Sequence, residues 1–326
     1  MTTFYNSRLI NGKSRHCFLV IAIPTYNKPL QLERAIESVI QQDMFNECQL
    51  LVVDNDSQEG ETPTTQLMRK YASNSDILYY RNDINLGMYG NWNRCFELSN
   101  CKYLLLLHTD DFLLPGCLHY CLQTLRKKNY PVMYLSKWNV ITLPTYPAST
   151  YWNKKRKLLN ALFRKEIIEH KAKLKDTLFG FCLTAPTGYV MNKELFIRGY
   201  VFRLASPKWP SDAELQLKLI GNGYVYMSEE KYVVKDEDGS NAGSNKKITV
   251  PLILTHKQLY FEAYKNEKIL FKKLLIYVRL RLLATGFRVQ NNPEVRAAIP
   301  QFYYSKMSSS IYWIIERLWR INYILR

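Results

Sequence analysis

The chain has 326 residues, 47% of them hydrophobic, enough to bury a full core in one large domain or one domain plus an appendage, which excludes a disordered or fibrous protein. Its formal net charge of +17 is uneven: residues 151–175 carry nine Lys/Arg against two Glu (+7), and residues 251–326 carry thirteen against four (+9). Charge of this kind does not choose among nucleic acid, anionic lipid and phosphorylated substrates, but here it lies outside the half that carries the acidic motifs.

From Cys17 onward, short apolar runs alternate with stretches of helical period, the pattern of a mostly parallel sheet flanked by helices in an α/β protein. Cys17–Ile23 is the first strand, too short to cross a bilayer and without the charged flank and cleavage site of a leader. A helix follows over Pro29–Gln42, with Leu32, Ala35, Ile36 and Val39 on one face. Leu50–Val53 forms a strand that ends on Asp54, Glu61–Ala72 a helix, Ile77–Tyr80 a strand, and Met88–Leu98 a helix. Tyr103–Leu107 is a strand that runs into His108-Thr109-Asp110-Asp111, and Pro115 starts another helix. Met133–Ser136 is a further strand, Thr142–Thr150 lacks order, and residues 151–175 form a basic amphipathic helix. Ala213–Ile220 reads as a helix, Tyr224–Met227 and Lys231–Val234 as strands, and Asp236–Asn245 as a polar loop. Beyond Val250 come long aromatic and basic helices, which divides the chain into a domain over 1–250 and a helical region over 251–326.

The seven cysteines are odd in number and include no Cys-x-x-Cys pair, and Cys117 and Cys121 lack histidine partners at zinc-like spacing. Reduced, mostly buried thiols in a cytoplasmic protein are expected.

In an open parallel sheet, ligands bind outside the carboxyl ends of the strands. Three polar segments fall there: Pro24-Thr25-Tyr26-Asn27, Asp54-Asn55-Asp56-Ser57, and Asp110-Asp111. Adjacent carboxylates at a strand end repel each other, and a hard divalent cation compensates them while also binding phosphate oxygens. Taken alone, the pair reads equally as a solvated turn that caps the next helix, and Asp54 as a turn or cap residue.

Together with Arg81-Asn82 and Asn85-Leu86-Gly87, these segments in this order and spacing resemble family 2 glycosyltransferases of the GT-A fold, over about Phe18 to Asp238. The resemblance implies that Pro24, Thr25 and Tyr26 shape the pocket for a nucleoside base and that Asp54 accepts a hydrogen bond from that base, most often uracil. It implies further that Arg81 and Asn85 lie near base, ribose or phosphates. Asp110, at the last position of the family's Asp-x-Asp motif, and Asp111 beside it would ligate Mn2+ or Mg2+. His108 replaces the motif's first acid and removes a negative charge, so it stands between structural residue and ligand. Asp212 falls where the family's base deprotonates the acceptor hydroxyl, Ser211 replacing the usual Glu; Asp212 also reads as an N-cap, and Glu214 competes for the role. Relatives often carry a metal-site His where this chain has Lys231–Asp238; Asp236 or Asp238 could substitute, or form a solvated loop.

The implied function is inverting transfer of a sugar from a nucleoside diphosphate, expected to be UDP, to a glycan or lipid-linked saccharide in surface-polysaccharide assembly of the O-antigen or capsule kind. The basic helices suggest peripheral contact with an anionic membrane at the inner face of the cytoplasmic membrane. Sugar nucleotidyltransferases would need a Gly-rich basic loop after the first strand, and nicotinamide dehydrogenases a Gly-x-Gly-x-x-Gly turn; neither is present. A non-catalytic nucleotide- or RNA-binding module with a degenerate GT-A fold is the alternative, although no nucleic acid is expected, since the aromatics gather in apolar helices rather than on a stacking strand.

Overall fold

The computed structural model describes residues 6–56, 60–135, 170–179, 187–204, 209–228, 232–234, 246–269, 272–286 and 290–300, together with 310, 311 and 314. Its centre is a nine-stranded sheet. In chain order the strands and helices are β1 (Ser7–Asn11), β2 (Cys17–Thr25), α1 (Pro29–Ile40), β3 (Cys48–Asp54), α2 (Pro63–Arg69), β4 (Ile77–Asn82), α3 (Gly87–Leu98), β5 (Cys101–Leu106), β6 (Phe112–Leu113), α4 (Cys117–Lys128), β7 (Val132–Tyr134), β8 (His170–Lys171), β9 (Tyr189–Asn192), α5 (Lys193–Ile197), α6 (Ser211–Gly221), β10 (Val225–Met227), β11 (Val233–Val234), α7 (Lys246–Ala263), α8 (Lys272–Gly286) and α9 (Pro293–Ala298).

The sheet order is β1-β4-β3-β2-β5-β9-β7-β10-β8. β4, β3, β2 and β5 run parallel, β9 lies antiparallel between β5 and β7, and β10 pairs parallel with β7. Strand β2 is central, so its side chains must be buried on both faces, and their alternation sorts them into two cores. Leu19, Ile21 and Ile23 meet Leu32, Ile36 and Val39 of α1 and Leu118, Cys121 and Leu122 of α4. Val20 and Ala22 face the opposite way, onto Trp92, Cys95 and Phe96 of α3 and Leu215 and Leu219 of α6.

A third core joins α7, α8 and α9 through Ile253, Tyr260, Tyr264, Leu275, Ile276, Val278 and Val295. Leu217 of α6 belongs to it, so α6 lies between the sheet and the C-terminal helices. The boundary expected at residue 250 falls within α7, which starts at Lys246.

The expected central strands and the helices α1, α2, α3 and α4 are present. Pro115 does not begin α4: the helix starts at Cys117 behind Gly116, whose φ of 81° supplies a left-handed turn that proline cannot make. Most of the basic stretch 151–175 and the loop 142–150 lie outside the described residues, as do Asp236 and Asp238; within that stretch His170-Lys171 is an edge strand paired with β10, not helix. Strands β1, β6 and β9 were not expected.

Six cysteines of the described residues are free and buried. Among the described residues, no helix is long and apolar enough to cross a membrane.

Candidate active site

The carboxyl ends of β2, β3 and β5 meet as the motif order requires. Register pairs Thr25 with Asp54 across β2 and β3. The acidic turn is fastened to the first strand from beneath, because the Thr109 hydroxyl donates to the Pro24 carbonyl (2.5 Å) and the Leu107 amide to Ala22.

Behind these ends lies a network of asparagines. Asn55 on the turn after β3 accepts from Asn82 of β4 (3.0 Å) and from the Leu86 amide (2.9 Å), and donates to Asn85 (2.8 Å). Asn82 also donates to Asn91 of α3 (3.0 Å), which in turn donates to the Val53 carbonyl (3.0 Å). These amides are suited to the place because each has both donors and acceptors, so a buried cluster can satisfy itself and the frayed strand ends together.

The residues expected at a base pocket take three different positions. Tyr26, just past the end of β2, is half exposed. Asp54 is fully buried: its two oxygens accept from the Tyr79 hydroxyl (2.9 Å) and the Asp56 amide (3.0 Å). Burial pushes the Asp54 carboxyl up to about 6, against the pull of those two hydrogen bonds. Arg81 is buried too and braces the neighbouring loop, donating to the carbonyls of Asp56 and Gly60 (both 2.8 Å), while Asn85 accepts from the Gly87 amide at the start of α3 (2.8 Å).

His108, Asp110 and Asp111 offer ligand atoms that all lie within 4.8 Å of one another. Asp111 is buried, and its carboxylate lies 3.9 Å from His108 Nδ1. The His108 ring stacks on Trp92 of α3, centroids 4.7 Å apart at 19°, which fixes the plane of the imidazole. One nitrogen and two carboxylates fit a divalent cation of the Mn2+ or Mg2+ class, the imidazole favouring Mn2+. Two cations flank this turn. Lys28 Nζ lies 3.3 Å from an Asp110 oxygen, and Arg34 of α1 donates to the Asp110 carbonyl (2.7 Å).

Asp212 stands in the first turn of α6. Sequence reading made it the cap of a helix starting at Ala213; the helix starts at Ser211 behind Pro210, so Asp212 lies inside it, where a carboxylate complements the positive helix end. The Tyr89 hydroxyl of α3 donates to Asp212 Oδ1 (3.2 Å), and burial, reinforced by the charge of Asp212, pushes the Tyr89 phenol up. Glu214 is otherwise engaged, by the Trp209 indole (2.6 Å) and Lys218 (2.8 Å). Burial would raise its pKa, but those two donors and the nearby Arg203 hold it below the ordinary range. From the C-terminal layer comes His256, whose ring bonds the Leu252 carbonyl (2.7 Å); burial pushes it down, opposed by that bond and the charge of Asp212.

One helix thus touches both groups, since Trp92 stacks on His108 and Tyr89 bonds Asp212, with the rings of Tyr89 and Trp92 edge to face at 5.2 Å.

A family model described as glycosyl transferase family 2 matches residues 20–186, just over half of the chain, and covers the strand-end turns after β2, β3, β4 and β5 but not the helices that carry Asp212 and His256. The chain belongs to glycosyl transferase family 2. The family 2 chain is 34% identical over 92 residues to the abequosyltransferase RfbV of Salmonella typhimurium, covering 28% of this chain and 27% of the relative. Over 106 residues it is 30% identical to the GalNAc(5)-diNAcBac-PP-undecaprenol beta-1,3-glucosyltransferase of Campylobacter jejuni, covering 32% of this chain and 33% of that one. The matched segments therefore span about a third of the length of these relatives. Among solved structures, S. aureus TarS 1-349 in complex with UDP-GlcNAc superposes with a TM-score of 0.61 at 13% identity, over 88% of this chain and 82% of that one. The mannosyltransferase PcManGT of Pyrobaculum calidifontis, in complex with GDP-Man and Mn2+, gives 0.52 at 14% identity, over 98% and 88%. The fold of this family 2 glycosyltransferase chain is GT-A, as its motifs implied.

Lys28, Arg34, Trp92, Tyr89, Asn91 and His256 were not singled out from the sequence. Asn91 and Trp92 had a signal, since both lie on the apolar face of a helix that had been placed correctly.

Proposed function

We propose that the chain is an inverting glycosyltransferase that moves a sugar from a UDP-sugar to a glycan or lipid-linked saccharide in bacterial surface-polysaccharide assembly. The observation that carries this reading is the shared helix α3, whose Trp92 stacks on His108 of the acidic turn and whose Tyr89 bonds the Asp212 carboxylate.

In this reading Tyr26 covers one face of the base, with Pro24 and Thr25 as the adjoining wall. Asp54, Arg81 and Asn85 hold the floor of that pocket, since their polar atoms already bind the turn and loop around it. His108, Asp110 and Asp111 would hold the divalent cation. When bound, it supplies positive charge for the leaving diphosphate. Asp212 takes the proton of the acceptor hydroxyl, oriented by the Tyr89 hydroxyl. The hydroxyl oxygen forms the new bond to the anomeric carbon as the bond to the diphosphate breaks, and a single displacement inverts that carbon. Glu214 is a poorer base, because an indole and an ammonium occupy its oxygens.

The UDP preference and the lipid-linked acceptor are supported by what similar proteins are named for: TarS was solved with UDP-GlcNAc, and the Campylobacter relative is named for an undecaprenol-linked glycan. Contact with an anionic membrane surface belongs to this reading through the basic charge of the C-terminal layer, because Leu275, Ile276, Val278 and Leu280 of α8 are already used in that layer's own core.

The test is a screen of UDP-, GDP- and dTDP-sugars for binding and transfer with and without Mn2+. Wild type should bind a UDP-sugar in a metal-dependent way, and Asp110→Ala should lose that binding. Asp212→Asn should keep donor binding but lose kcat by ~10²–10⁴-fold. Binding of no nucleotide sugar by the folded protein would sink the reading.

A further inference from the structure

The acidic turn carries less negative charge than a metal site of three acids would, because an imidazole, His108, stands where a third carboxylate would be. It is also partly compensated from within. Lys28 Nζ lies 3.3 Å from Asp110 Oδ2, and Arg34 donates to the Asp110 carbonyl at 2.7 Å, so two cations stand against the two carboxylates of Asp110 and Asp111.

The backbone holds the stem of Lys28 near this place. Asn27 takes the left-handed conformation, φ 50°, and Pro29 opens α1 with its fixed φ, so the backbone between them is held and the Lys28 side chain leaves it within reach of Asp110. Lys28 is the residue that caps the N-terminus of α1, whose first turn holds no acidic side chain, so the positive end of the helix and the ammonium act in the same direction. The Lys28 side chain is 30% exposed and that of Asp110 17%, so an arriving anion can reach the ammonium while the carboxylate stays largely shielded.

A cation entering alone must displace the ammonium from Asp110. A diphosphate entering alone meets an ammonium already drawn toward an acid. With both present, Asp110 would be free to help hold the cation and the Lys28 ammonium to bind a phosphate oxygen, so each ligand would remove the obstacle to the other. We propose that Lys28 is a diphosphate-binding residue that the free protein holds on Asp110, and that it makes divalent cation and nucleotide diphosphate bind cooperatively. The proposal rests on the donor reading above.

The experiment compares wild type, Lys28→Met and Lys28→Arg, with Mn2+ followed by electron paramagnetic resonance and UDP by calorimetry, each ligand alone and in the presence of the other. Lys28→Met should bind Mn2+ alone about fivefold more tightly, the scale of a partly exposed ion pair. It should bind UDP roughly tenfold more weakly at saturating Mn2+, the scale of one charge-assisted hydrogen bond to phosphate. The factor by which UDP and Mn2+ favour each other should shrink equally from either side, as linkage requires. Lys28→Arg should restore UDP binding. Wild-type affinity for both ligands in Lys28→Met, with melting temperature unchanged, would overturn the proposal while leaving the donor reading in place. Wild-type protein that binds neither UDP nor Mn2+ would overturn both.

Discussion

At the carboxyl ends of the sheet, where the donor is proposed to bind, the strand ends are joined by side chains that cross between β2, β3, β4 and α3: Asn55, Asn82 and Asn91 bond one another, and Asn91 and Thr109 bond the strands' last carbonyls. The proposed base, Asp212, stands on a helix wedged between two cores, and among the described residues the Tyr89 hydroxyl is the side-chain donor that bonds it. The difference agrees with the proposed roles. A diphosphate and a cation need donors held to a fraction of an ångström before they arrive, whereas a base must take up a proton and release it, which a carboxylate locked by several donors does poorly.

The comparison can be broken at its strongest point first. Asn91→Ala strips a partner from Asn82 and from the Val53 carbonyl in a site only 3% exposed, so it should cost ~2 kcal/mol of stability in urea unfolding, with no matching loss from truncating an exposed asparagine. A loss under ~0.5 kcal/mol would mean the network is ornament.

Tyr89→Phe should act on the other side with a different signature. It should lower kcat about tenfold with the donor KM unchanged, since it removes one hydrogen bond from the base and none from the donor pocket. An equal rise in donor KM would show that the two sides are not separable.

The smallest effect should come from Asp54. Its folded pKa of about 6 lies above the usual carboxylate value, so the folded protein binds a proton there that the unfolded chain does not hold between the two values. Wild type therefore gains stability relative to Asp54→Asn as pH falls from 8 through about 6 towards 4, and loses that gain as pH rises. A melting-temperature difference that is flat over this range would place the Asp54 charge in solvent.

Much of this was legible from residue order. The face of α1 read from the sequence, Leu32, Ala35, Ile36 and Val39, is the set the fold buries, because a helix packed on a sheet has only one stripe to hide. The helix α8 shows the limit. Its basic and apolar mixture reads as an amphipathic surface helix, and Leu275, Ile276, Val278 and Leu280 are all buried, in a core that α7 and the turn over residues 174–179 help to form, so which apolar residues face protein was decided by packing. Strand β1, with the sequence SRLIN, has an edge position and no deep core behind it, so no alternation marks it. The two-residue β6 exists through its pairing with β11.

By itself, then, the sequence determined the parallel half of the sheet, the three strand-end motifs and the family, because apolar period and strand-end chemistry are local properties of the chain. Only the tertiary structure decided that β9 enters antiparallel between β5 and β7, that α3 spans from His108 to Asp212, and that Lys28 lies on Asp110. These are contacts between residues up to 123 positions apart, and a side chain's partner across such a distance is set by packing, which no local pattern encodes.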